Sequence, residues 1–241
     1  MDIQSSLPSP SQEEHLARLE AEEQANERLY KVLDIGQAML QSGAEVSRVE
    51  DSLRRICLAY GAERADVFTI TSNIMVTMYS RQYGALTQIR RVAGQQYDLH
   101  RLELLNLLCR RICAERLTLE ETERALDAIR DEPQYSFPVQ LLTFALISAS
   151  FSLFFGGSAL DAAASGVIGA VLKVMDQAIR RTEANAFLSA LLCSCLGGLL
   201  AALSVRIGLG RNVDMISIGN IMLLIPGIAL TNSLRDMFSG N

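Results

Sequence analysis

The chain has 241 residues, of which 49% are hydrophobic and 20% charged, with a formal net charge of −5 and a mean hydropathy of +0.20. An acidic balance of this kind leaves no basic footprint for nucleic acid, and five cysteines at irregular spacing form no secreted disulfide framework. The charges are unevenly placed: residues 1–135 hold 16 Lys/Arg and 22 Asp/Glu, whereas residues 136–241 hold only 6 and 5. A charged domain is therefore followed by a charge-poor half.

Residues 1–27 are rich in Ser, Pro, Gln and Glu and are expected to form a mobile polar tail, with no apolar signal-peptide core. From residue 28 a helical period sets in, with Leu29, Val32, Leu33, Gly36, Met39 and Leu40 on one face. Ser42-Gly43 ends this helix. A second follows, with Val49, Leu53, Ile56 and Tyr60 as its buried stripe and Gly61 as its stop. Ser47 and Glu50 have capping-box spacing at its start. Glu45 and Glu50 also form a candidate carboxylate pair, but helix-terminal roles explain both more simply.

Between residues 66 and 80 the period changes to two. Phe68 and Ile70 share one strand face, and Ile74, Val76 and Met78 share a face of the next strand. Arg81 to Gly84 reads as a hairpin turn into a third strand, Leu86 to Val92. Alternation places Arg90 and Arg91 on opposite faces. Two helices complete the domain: one carries Leu102, Leu105, Cys109 and Ile112, and one opens on the Thr118/Glu121 capping box and ends near Ile129. Residues 28–132 are therefore expected to be an α+β domain. No phosphate loop, nucleophile elbow or metal motif occurs. His100, near a helix start, is expected at the surface. The sequence implies neither a metal nor any other cofactor.

Residues 133–241 are expected to form an all-α polytopic membrane bundle of about four helices, with spans near 137–156, 159–175, 186–205 and 213–234. A helix rises about 1.5 Å per residue, so twenty uncharged positions cover roughly the 30 Å of a bilayer core. Small residues at Ala162, Gly166 and Ala170 have the spacing of close helix packing. Asp214, Ser217 and Asn220 form a polar stripe on the last segment, and Pro226-Gly227 interrupts it, freeing the Met222 carbonyl. Broken spans of this type line solute routes in transporters. Asp214, Asn220, Pro226, Gly227 and Asn232 are therefore the candidate pathway residues, with Asp161 and Lys173 as further candidates near span ends. Basic residues before the first span and Arg180-Arg181 after the second place the amino terminus inside, although Arg206 and Arg211 run against this in a four-span arrangement.

Several of these segments carry a resemblance. Leu40-Gln-Ser-Gly-Ala-Glu45, Val49-Glu50, Gly61, the Thr-rich strand and Arg90-Arg91-Val92 resemble the threonine/serine exporter family, as does the closing stretch from Asn220 through Pro226-Gly227 to Asp236. The resemblance covers residues 28–241. It implies an inner-membrane secondary exporter with a cytoplasmic amino-terminal domain of a kind once likened to hydrolases. Family members occur as one long chain or as two chains, and this chain resembles the larger, domain-bearing component. The implied cargo is a small polar solute, either threonine and serine or a dicarboxylate such as succinate. The implied partners are the lipid bilayer and a small membrane subunit or a second copy. One departure is that family bundles usually continue with another helix after the Pro-Gly segment, whereas this sequence stops at Asn241. The rival expectation is a membrane-anchored hydrolase or sensor whose cytoplasmic domain is active.

Overall fold

The computed structural model describes residues 10–94, 97–133, 135–180, 186–225 and 227–239. It divides into two compact units, residues 1–132 with 236–241, and residues 133–235.

The first unit begins with α1, Pro10–Gln41. This helix starts well before residue 28, so residues 10–27, expected as tail, are helical. The physical reason is propensity: Glu, Ala, Leu, Gln and Arg dominate this stretch, and Pro10 stands at the first helical position, where a missing N–H costs nothing. The expected stripe is realised, with Leu29, Val32, Leu33, Met39 and Leu40 fully buried. Gly43 closes the turn at φ +90°, and the Tyr97 ring lies so close that an alanine Cβ there would come within 2.5 Å of it. Helix α2, Val46–Ala59, follows. Here the capping expectation is corrected. Glu45 is the N-cap, the Ser47 hydroxyl donates to Glu45 Oε1 at 3.1 Å, and Glu50 Oε1 accepts the Thr69 backbone N–H at 2.8 Å. With the helix starting at Val46, Glu50 lies beyond the first turn and fastens α2 to the neighbouring strand instead.

Strands β1 (Arg64–Ile70), β2 (Asn73–Ser80) and β3 (Gly84–Arg91) form an antiparallel sheet in sequence order. Ile74, Val76 and Met78 point into the core beneath α1 and α2. The opposite face stays open and carries a cross-strand row of Phe68, Met75 and Ile89. Arg90 donates to Asp34 at 2.7 Å and to Gln37 at 3.2 Å, tying β3 to α1. Arg91 faces the other way and is exposed. Helices α3, Leu99–Glu115, and α4, Leu119–Arg130, complete the unit. Lys31 of α1 pairs with Glu123 of α4.

In the second unit, α5 (Phe137–Phe154), α6 (Ala159–Arg180) and α7 (Ala186–Arg206) are each long and apolar enough to cross a membrane. Of the three, α6 is the most buried. The expected fourth span, 213–234, is not one helix. It is divided into α8, Val213–Leu224, and α9, Gly227–Ser239. At about 1.5 Å per residue, α8 reaches only about 18 Å, short of a bilayer core. The cause is local: the residue before a proline is driven out of the helical region, and Ile225 is extended at φ −75°, ψ 119°.

The Thr118 capping box is fully formed, with both reciprocal hydrogen bonds present. Thr118→Ala is expected to cost about 1 kcal/mol, lowering the denaturant midpoint of the first unit while its helical circular dichroism is retained.

Candidate functional site in the membrane bundle

The polar interior of the bundle is built from serine hydroxyls on two helices and an asparagine amide on a third. Ser148 and Ser152 lie one turn apart on α5, Ser165 sits on α6 and Asn220 on α8; all four are buried. Ser148 Oγ lies 2.7 Å from Asn220 Oδ1, to which it donates, and 2.8 Å from Ser165 Oγ. It also lies 2.9 Å from the Ser165 carbonyl. Ser165 Oγ lies 3.1 Å from the Ser148 carbonyl, and Asn220 Nδ2 donates to the Ile216 carbonyl at 2.8 Å. A serine hydroxyl has a single proton, so these contacts are alternatives between which the cluster can switch.

Glycines make this approach feasible. A Cβ on Gly169 would stand 2.7 Å from Ser148 Cβ, and one on Gly219 would stand 2.6 Å from the Ser148 carbonyl oxygen and 2.5 Å from Ser165 Oγ. Helices can meet this closely in apolar surroundings only through small residues. Ser152 Oγ is buried and lacks a partner among the described residues. The cluster itself is therefore neutral, rich in donors and acceptors, and not fully satisfied.

The sequence-derived candidates distribute unevenly around it. Asn220 lies at its centre. The stripe it shares with Ser217 and Asp214 runs from buried through half-buried to exposed, with Asp214 in the first turn of α8. Asp161 belongs to a second cluster. Its Oδ2 accepts from Ser158 N at 2.9 Å and Ser158 Oγ at 2.7 Å, while Asp161 N donates to Ser158 Oγ at 3.3 Å. This is a reciprocal cap on α6. Its Oδ1 accepts from the backbone N–H groups of Arg211 at 2.5 Å and Asn212 at 2.9 Å, fastening the α7–α8 loop to the start of α6. Lys173 is half-buried, its ammonium 4.8 Å from the centroid of the Phe144 ring, a cation–π geometry. Gly227 opens α9, and its carbonyl accepts from Thr231 Oγ1 at 2.9 Å. Asn232 lies within α9, with its side chain outside the described set, and Pro226 lies outside the described residues. Thus Asn220 and Asp161 mark separate clusters, and Lys173 joins neither.

Sequence reasoning missed Ser148, Ser152 and Ser165, because a lone hydroxyl in an apolar run barely disturbs the hydropathy pattern. The readable signal was the four-residue spacing of Ser148 and Ser152, matched by a serine one turn from Gly169 on the next helix.

In the first unit, among the described residues, the buried cysteines and His100 form no catalytic set. Burial pushes the Cys57 and Cys109 thiols up to about 12, far from a reactive thiolate. His100 Nε2 meets Glu132 Oε1 at 3.1 Å on the surface, and among the described residues no hydroxyl or thiol hydrogen-bonds to the ring.

The family described as "Putative threonine/serine exporter" matches residues 31–241. The chain belongs to this family. A relative named threonine/serine exporter, from Corynebacterium glutamicum, is 24% identical over 217 residues, which are 86% of this chain and 44% of that protein. The chain thus spans less than half the length of that relative. No solved structure matches. Family membership and three apolar helices of spanning length together describe a membrane protein.

Gly219→Val should force α8 away from α5 and α6 and cost roughly 2–3 kcal/mol, as overpacking does. Ser148→Ala removes a hydrogen-bond hub without adding volume and should cost about 1 kcal/mol. Thermal unfolding of the detergent-solubilised chain orders the two variants, and equal loss would contradict the close approach at Gly219.

Proposed function

We propose that this chain is a subunit of a secondary exporter that carries a small polar solute outward across the inner membrane, with residues 28–132 on the cytoplasmic side. The observation that carries the reading is the buried Ser148–Ser165–Asn220 cluster, set among apolar helices of a chain in this family. Buried polar groups in a membrane bundle are costly and commonly mark solute routes. Support for the cytoplasmic placement comes from the arginines of the first unit and from Arg180 at the end of α6, followed in the sequence by Arg181.

The chemistry of the cluster favours an uncharged hydroxyl side chain as the distinguishing feature of the cargo. Serine hydroxyls and an asparagine amide exchange hydrogen bonds readily with the hydroxyl of threonine or serine. A dicarboxylate would bring a net charge of −2 to a cluster with no cation, whereas a zwitterionic amino acid brings no net charge. A threonine/serine-type amino acid is therefore the first-choice cargo and a dicarboxylate such as succinate the second. Asn220 binds the solute. Asp214 and Asn232 flank the route, and a proline at 226, having no N–H, leaves the Met222 carbonyl without its helical donor and available to the solute. Asp161 holds the α6 end of the bundle in register, and Lys173 serves at the bundle margin. A gradient of protons or of a second solute drives the cycle. A second copy or a small membrane partner completes the enclosure that α8, too short to span, leaves open.

The test is efflux from cells preloaded with threonine, serine or succinate, expressing this chain alone or with a candidate partner. Asn220→Leu should abolish efflux while membrane insertion and abundance are retained; unchanged efflux by this variant would remove the proposed route. Asp161→Asn keeps one acceptor oxygen, and so either the Ser158 cap or the hold on Arg211 and Asn212 but not both, and should lower abundance less than Asp161→Ala, which loses both.

A further inference from the structure

Helices α2 and α3 are separated on their outer side by a cleft of about 890 Å³. Its charged lining is unusual for an acidic chain: Arg48 and Arg55 from α2 and Arg110 from α3 stand against only Asp51 and Glu103. Asp51 is already engaged, because its Oδ2 receives Arg55 Nε at 2.9 Å. Neither the Arg48 nor the Arg110 side chain has an ion-pair or hydrogen-bond partner among the described residues. Two guanidinium groups, one from each wall, are therefore open to a ligand. Beside them the cleft has an apolar wall, with Leu99 60% and Leu107 48% exposed. Asn106 adds a carbonyl-bearing amide whose NH₂ group is turned back to the Leu102 carbonyl.

We propose that this cleft binds a small organic anion with two negative charges and a compact apolar body, the anion bridged by Arg48 and Arg110 and the body laid on Leu99 and Leu107. Guanidinium forks match carboxylate and phosphate oxygens in pairs, so the two open arginines recognise a dianion from opposite sides. Arg55 is neutralised by Asp51 and is not offered to the ligand. The apolar wall distinguishes an organic anion from a bare inorganic one, since its leucines gain only when a ligand covers them. The site lies wholly within the first unit and stands apart from the exporter reading, so failure of either leaves the other intact.

Cys113 lines the same cleft and is exposed, whereas Cys57 and Cys109 are buried, so alkylation of Cys113 reports on occupancy. The full chain in detergent is treated with a maleimide in the presence of phenyl phosphate or of inorganic phosphate, and labelling of each cysteine is read by peptide mass spectrometry. Phenyl phosphate should slow Cys113 labelling and leave Cys195 unchanged. Arg48→Ala and Arg110→Ala should each raise the phenyl phosphate concentration needed by about tenfold, the equivalent of about 1.4 kcal/mol. Both arginines are exposed, so the variants should keep the thermal midpoint of the parent chain. Unchanged Cys113 labelling, protection that survives both arginine substitutions, or equal protection by inorganic phosphate would each overturn the proposal.

Discussion

The bundle depends on one constraint: a polar group surrounded by hydrocarbon must find its partner inside the protein. Asn220 meets this constraint twice, through Ser148 on α5 and through the Ile216 carbonyl of its own helix. Ser165 on α6 closes the third side. Because each hydroxyl reaches its neighbour at hydrogen-bond distance, the three helices must lie unusually close. Gly169 and Gly219 stand where any larger residue would collide with backbone or serine atoms, and a Cβ on Gly166 would press on the Ala145 carbonyl oxygen at 3.1 Å. Polar contact and small-residue packing are therefore one device, and neither works without the other.

The first unit is held by ordinary hydrophobic burial. Its core is a continuous set of Leu, Ile, Val and Met side chains contributed by α1, α2, α3 and the inner sheet face. Polar contacts refine this core: Glu50 reaches the Thr69 amide, Arg90 reaches Asp34, and Tyr60 Oη meets Thr122 Oγ1 at 2.8 Å. Such bonds contribute modestly each, but they fix how helices and strands register. The two units thus use opposite solutions. One hides apolar groups from water, and the other hides a few polar groups from an apolar surrounding.

The break at residues 225–227 links sequence chemistry to the shape of the bundle. A continuous 213–234 helix would have matched α5 and α7 in length. Instead, Ile225 turns into extended geometry and Gly227 starts a new helix, its N–H bonded to the Ile225 carbonyl at 2.8 Å. The shortened α8 still packs with α5, α6 and α7. Its buried residues Ile216, Gly219 and Asn220 hold it there.

Much of this was legible in the residue string because it rests on short-range physics. Helical period, strand alternation, turn glycines, the Thr118 cap and the uncharged stretches each depend on residues a few positions apart, and the elements between residues 46 and 206 came out near their expected bounds, whereas α1 starts earlier and the last expected span is divided. Asn220 could be singled out because an amide is conspicuous in an apolar run. Other features needed the third dimension. That Glu50 serves β1 and not its own helix start depends on a strand nineteen positions away. That Asp161 is a cap and a loop fastener depends on a backbone fifty residues later in the chain. Ser148 and Ser165 look like any other hydroxyls until their helices cross, because a partner in space leaves no mark on local spacing.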